Sequence, residues 1–157
     1  MSKTTKIIIS LIIPLLVGFG GSFFTRSSLQ DWYATLNKPF FNPPGWLFAP
    51  VWTLLYILMG IAFYLVWINN FGQKRETNIG IYALQLILNL LWSVFFFGLK
   101  NPLLALVDIV ILWFLILANI IVFSKVSKTS GRLLIPYLLW VSFATVLNFS
   151  IFILNRG

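Results

Sequence analysis

Five runs of apolar residues, each near the ~20 that cross a hydrocarbon core as a helix, take up most of this 157-residue chain. They are read at about 7–24, 46–70, 78–99, 102–124 and 133–155. A segment immersed in hydrocarbon must satisfy its own backbone polar groups, so only helices or a closed barrel can span, and uninterrupted runs of this length exclude alternating barrel strands. The fold class predicted is therefore all-α integral membrane, a bundle of five transmembrane helices. Charged residues make up only 9% of the chain, against roughly 25% in a soluble domain. Lys3 and Lys6 give the first run the charged start of a signal peptide. No small-x-small cleavage site follows it, so it is read as the first helix. No linker, repeat or low-complexity tail interrupts the pattern, and 1–157 is expected to form one domain.

Eleven Lys and Arg face three acids. In a soluble chain that balance would suggest nucleic acid, but here the cations sit in short connections between spans and set orientation instead, so no nucleic-acid partner is expected. Five crossings put Lys3, Lys6, Lys74, Arg75, Lys125, Lys128 and Arg132 on one side, and Arg26, Lys38, Lys100 and Arg156 on the other. The positive-inside rule then places the N-terminus in the cytoplasm, with the first loop and the C-terminus outside. The cytoplasmic charges suit anionic headgroups of the lipid bilayer. Neither Cys nor His occurs, which removes disulfides, thiol nucleophiles, imidazole bases and the usual zinc and haem ligands. No metal site and no resident cofactor is expected.

The connection at 26–45 is long for a compact bundle, and such loops are either functional or disordered. Its content argues for order. Pro39, Pro43 and Pro44 restrict the backbone, while Trp32, Tyr33, Phe40 and Phe41 supply area to bury on the bundle mouth. An interfacial aromatic belt would account for Trp32 and Trp46 singly, but less well for the Pro43-Pro44 turn. A lid over a pocket is the reading adopted.

Within the spans, residues that share a helix face mix aromatics with sparse polar groups. The stripes are Trp52, Tyr56, Met59 and Phe63; Gln85, Asn89, Trp92 and Phe96; Asp108, Leu112, Leu115 and Asn119; and Trp140, Ala144 and Leu147 beside Asn148. Carboxamides and carboxyls avoid lipid, so the stripes are expected to converge on a flat, aromatic-lined cavity. Asp108 is the one acid inside a span, where an ionisable group suggests function; a structural hydrogen bond and a ligand or proton role both fit. Gly18 and Ser22, one turn apart, are expected to let helices approach closely. Gly98 and Pro102 are expected to cap one helix and start the next across a tight hairpin.

These residues are specific enough to carry a resemblance. The run Trp32-Tyr33-Ala34-x-Leu36-x-Lys38-Pro39, then Pro43-Pro44-x-Trp46 and Pro50-Val51-Trp52-x-x-Leu55-Tyr56-x-x-Met59-Gly60, resembles the TspO/translocator (TspO/MBR) family of tryptophan-rich sensory proteins and peripheral-type benzodiazepine receptors. Further matches are Tyr64-Leu65-Val66-Trp67, Gln85-Leu86 with Asn89 and Trp92, Phe96-Phe97-Gly98, Ala105-Leu106-Val107-Asp108, and Arg132-Leu133-Leu134 leading to Pro136-Tyr137 and Trp140, then Phe143-Ala144-Thr145-x-Leu147-Asn148. The resemblance implies a bacterial cell-membrane protein, commonly a homodimer, whose cavity beneath the first loop binds protoporphyrin IX and related tetrapyrroles as well as isoquinoline carboxamide and benzodiazepine drugs. It also implies light- and oxygen-dependent porphyrin degradation tied to Trp52 and Trp140, in the place of a conventional catalytic centre. Tyr56, Asn89, Trp92 and Ala144 are implied as pocket wall, and the expected ligand-binding set extends to Leu147, Trp32, Pro44, Phe48 and Asp108.

The chain departs from the family at the sterol motif of animal members, where Phe149-Ser150-Ile151 stands, and at Leu90 and Phe41, where other members carry Trp. Arg26 and Lys38 are candidate partners for porphyrin propionates at the rim, with interfacial snorkelling as the alternative role. Two other functions stay open at this level: a passive carrier of amphiphiles, and a sensor that changes partners on ligand occupancy. No nucleotide-binding loop and no row of intramembrane charges supports an energy-coupled pump.

Overall fold

The computed structural model describes residues 1–156, and five of its helical segments are long and apolar enough to cross a membrane. α1 (Lys3–Leu29) is followed by a short α2 (Trp32–Thr35) in the first loop. A single 3-10 turn at Gly45–Leu47 leads into α3 (Phe48–Trp67). α4 (Arg75–Ser93) ends in a π turn at Val94–Gly98, and α5 (Pro102–Ser124), α6 (Lys128–Leu133) and α7 (Ile135–Asn155) complete the chain. The chain is an integral membrane protein.

Hydropathy placed the spans correctly and their ends less so. α1 runs past Phe24 to Leu29, and along it Ser22, Thr25 and Ser27 return their hydroxyls to helix carbonyls, so these polar side chains are satisfied within the helix. The free loop thus begins at Gln30 rather than at 26. At the other end of the bundle, α3 stops at Trp67, three residues before the expected 70, and Asn70, Phe71 and Gly72 take positive φ to reverse the chain. In the hairpin at 98–102, Lys100 rather than Gly98 adopts the left-handed conformation. Gly98 is small for a different reason: a Cβ there would lie 2.9 Å from the Phe24 ring. Asn101 and Pro102 start α5 as expected, the Asn101 side chain accepting from the Leu104 amide at 3.1 Å.

Two close approaches hold α1 on α3. A Cβ on Gly60 would sit 2.7 Å from the Ser10 carbonyl oxygen, and one on Gly18 would sit 2.5 Å from the Tyr56 ring. Gly18 therefore packs within the bundle, with an aromatic ring as its counterpart. The core is built from Met59, Ala62 and Val66 of α3, Ile109, Leu112 and Ile116 of α5, and Tyr137 and Val141 of α7. Large apolar side chains such as Ile12, Leu16, Phe23, Phe114 and Leu139 are exposed around the outside, as lipid contact requires.

Candidate functional site

The half of the bundle nearer the first loop contains a cavity of about 360 Å³, lined by α1, the start of α3, the end of α4 and α7. Its walls are aromatic. Trp52 stacks on Tyr56 with ring centres 5.7 Å apart and meets Trp140 edge to face at 6.5 Å. Trp140 in turn contacts Phe48 at 6.4 Å and Phe143 at 5.4 Å. On the α4 side, Trp92 stacks on Phe96 at 5.2 Å.

Polar side chains fix these rings in place. The Tyr56 hydroxyl donates to Asn89 Oδ1; Asn89 Nδ2 donates to the Tyr137 hydroxyl at 2.8 Å, and that hydroxyl donates to Gln85 Oε1 at 2.7 Å. This chain ties α3, α4 and α7 together below the cavity, and all four residues are buried. A second set holds Trp92, whose Nε1 donates to Asn148 Oδ1 at 2.9 Å while Asn148 Nδ2 donates to the Pro102 carbonyl at 2.9 Å. Trp140 differs: it lines the cavity, and its buried Nε1 has no hydrogen-bond partner among the described residues.

The first loop closes the top of the cavity, and it is held rigidly. Tyr33, 5% exposed, packs against Phe96 and Phe97 and donates its hydroxyl to Asn42 Oδ1 at 2.7 Å. Burial pushes the Tyr33 phenol up to about 12, with the Asn42 hydrogen bond acting weakly against it. Lys38 is used here rather than at a ligand rim, donating to the Tyr33 and Leu36 carbonyls at 2.9 and 3.0 Å and lying over the Tyr33 ring. Asn37 exchanges hydrogen bonds with Asn155, tying the loop to the end of α7. Ser28 of α1 donates to the Phe97 carbonyl at 2.6 Å, fixing the start of the loop to the π turn.

Of the residues singled out from sequence, Trp52, Trp140, Tyr56, Asn89, Trp92, Ala144, Leu147 and Phe48 all line the cavity. Trp32, Pro44 and Asp108 do not. Trp32 sits half-buried on the outer edge of Phe96, and Pro44 is exposed where the chain turns into α3. Asp108 is buried on the face of α5 that packs into the bundle, with Oδ2 unpartnered. No α5 residue reaches the cavity, so the stripe Asp108, Leu112, Leu115 and Asn119 does not converge with the others. α5 lies behind α4 and α7, where two packed helices screen it. The missing wall comes from α1, through Gly18, Gly21, Ser22, Thr25 and Arg26. Its sequence signal was the repeat of small and hydroxyl residues along one face, which reads as helix packing when no cavity is known. Among the described residues, no three His, Cys, Asp or Glu gather as a metal site.

The model of the TspO/MBR family matches residues 10–154. The chain is 49% identical over 150 residues to the tryptophan-rich protein TspO of Archaeoglobus fulgidus, covering 96% of this chain and 97% of that one. It is 52% identical over 143 residues to the protein of the same name from Chlorobaculum tepidum, with 90% of each chain covered. Similarity extends to the human translocator protein, 39% identical over 148 residues, with 93% of this chain and 88% of the human protein covered.

Proposed function

The chain belongs to the TspO/MBR family, and on that premise we propose that its cavity binds protoporphyrin IX and related tetrapyrroles and promotes their light- and oxygen-dependent degradation. The observation that carries this reading is the pair Trp52 and Trp140, set edge to face in a cavity whose one unpartnered buried donor is the Trp140 indole. A porphyrin is a flat apolar plate with acidic arms at one edge. Indole and phenol rings match its faces, the Trp140 N–H supplies a directional contact, and Arg26 at the rim suits a carboxylate. Without His or Cys, the metal-free ring fits these walls better than an iron porphyrin.

Degradation is assigned to light, dioxygen and the enclosing tryptophans. The excited ring passes energy to dioxygen or takes an electron from Trp52 or Trp140, and the aromatic walls on either side hold these tryptophans against the ring where the reactive species form. Drugs of the isoquinoline carboxamide and benzodiazepine classes would occupy the same aromatic walls. The wall residues named above all come from one chain, and a homodimer is assigned as the assembly that carries them. The N-terminus is assigned to the cytoplasm of a prokaryotic cell, with the first loop and C-terminus outside.

Titration of tryptophan fluorescence with protoporphyrin IX tests binding, with wild type expected to saturate and W140F to bind more weakly. Illumination of the bound pigment tests degradation, with W52F/W140F expected to lose the product seen with wild type. Unchanged product formation in the double variant would remove the assigned role of these tryptophans.

A further inference from the structure

We infer that ligands enter and leave the cavity sideways from the bilayer, through a slot between α1 and α3, and that Arg26 at its outer end receives the acidic edge of a membrane-dissolved amphiphile. This rests on the binding reading above and adds its route and the selectivity of its mouth.

The closed sides of the cavity come first. Below it lie Met59, Gln85 and Tyr137, at most 1% exposed. The α4 and α7 walls are sealed by Asn89, Phe96, Phe97 and Ile151, all buried. Above it the loop contributes Tyr33, which is buried and hydrogen-bonded to Asn42, in a segment tied to α7 through Asn37, while Ser28 at the end of α1 holds the start of the loop to the π turn. The lining residues that remain exposed all belong to two helices: Leu15, Phe19 and Arg26 of α1, and Ala49 and Thr53 of α3. Phe19 is 70% exposed although it borders the cavity.

The two helices are locked together where Gly60 meets Ser10, so the slot lies on the first-loop side of that contact, with the Tyr56 ring against Gly18 on its inner side. Small side chains edge it there. Gly18 and Ser22 on α1 stand with Ala49 and Thr53 on α3, and the hydroxyls of Ser22 and Thr53 are already returned to the Phe19 and Ala49 carbonyls. A flat apolar molecule can thus slide past without stripping a hydrogen bond from either helix. Arg26 lies seven residues beyond Phe19, about 10 Å along the helix, toward the headgroups where a guanidinium is stable. The cavity is also near the small end of the roughly 300–1,000 Å³ of ligand sites. A tetrapyrrole would fill it, leaving the acidic arms in the slot beside Arg26.

The test exploits the absence of native cysteine. F19C/T53C protein in nanodiscs is bridged with a short reducible thiol crosslinker and mixed with vesicles preloaded with protoporphyrin IX, and the rate of tryptophan quenching is compared before and after reduction. Bridging the slot is expected to slow association at least about tenfold, as a gated route should, with recovery on reduction. Bridging N37C/N155C, which pins the loop to α7, is expected to leave the rate as in its own reduced form. An unchanged rate with the slot bridged, or a slowed rate with the loop pinned, would overturn the lateral route.

Absence of quenching in the reduced proteins would sink the binding reading instead, and a second measurement judges the slot without porphyrin. In unliganded A144C, a membrane-dissolved maleimide is expected to label the cavity faster than a charged, impermeant thiol reagent, and T53W is expected to slow that labelling. Faster labelling by the impermeant reagent would refute the slot.

Discussion

Replacing Gly18 with Ala places a methyl carbon 2.5 Å from the Tyr56 ring, where carbon atoms normally rest ~3.5–4.0 Å apart. The ring must retreat by about 1 Å. Tyr56 is held on one side by the Asn89 carboxamide and on another by the stacked Trp52 indole. Moving it leaves a buried acceptor unsatisfied, at ~1–3 kcal/mol, and loosens an aromatic pair worth ~0.5–1.5 kcal/mol. Alanine returns ~1 kcal/mol through its better helix propensity, so the net loss expected is ~1–3 kcal/mol. Equilibrium unfolding in mixed micelles measures it, and porphyrin titration should show weaker binding because Trp52 and Tyr56 form one wall. The decisive control is G18A/Y56L, in which the obstructing ring is gone. If the clash is the cause, the double variant is less destabilised than the two singles summed. Strict additivity, or a G18A protein within ~0.5 kcal/mol of wild type, would refute the reasoning.

Tyr137→Phe should destabilise by ~2–4 kcal/mol, since its hydroxyl is partner to both Asn89 and Gln85 and both are then left unsatisfied; unfolding in mixed micelles reads it. Asn148→Leu removes the anchor of the Trp92 indole and a partner of the Pro102 carbonyl, so porphyrin affinity should fall about tenfold with a matching loss of stability. Tyr33 titrates near 12 in the folded loop and near 10 when released, so its contribution to loop closure is complete below about pH 10 and is lost as pH rises toward 12. Limited proteolysis of the first loop should accelerate across that window in wild type, and Y33F should lack this step.

The five spans were legible because hydrocarbon imposes one demand on every residue of a segment, and a run of twenty apolar side chains answers it without reference to any neighbour. α5 shows this best, with bounds that match the sequence reading at both ends. The aromatic and carboxamide stripes of α3, α4 and α7 were legible for a related reason: polar groups in a span must face protein. That rule says only that a stripe is buried. It made Asp108 and Asn119 look like cavity residues when α5 buries them elsewhere, and it gave no reason to read the glycine and hydroxyl face of α1 as a wall.

Periodicity in the chain thus determined that this molecule is a five-helix membrane bundle with tryptophans on inward faces. Which faces meet around an empty space, and where that space opens, were decided only by tertiary packing. The physical reason is that burial is a property of one helix, whereas a cavity exists only between several, at distances set by contacts such as Gly60 on Ser10 that no single segment encodes.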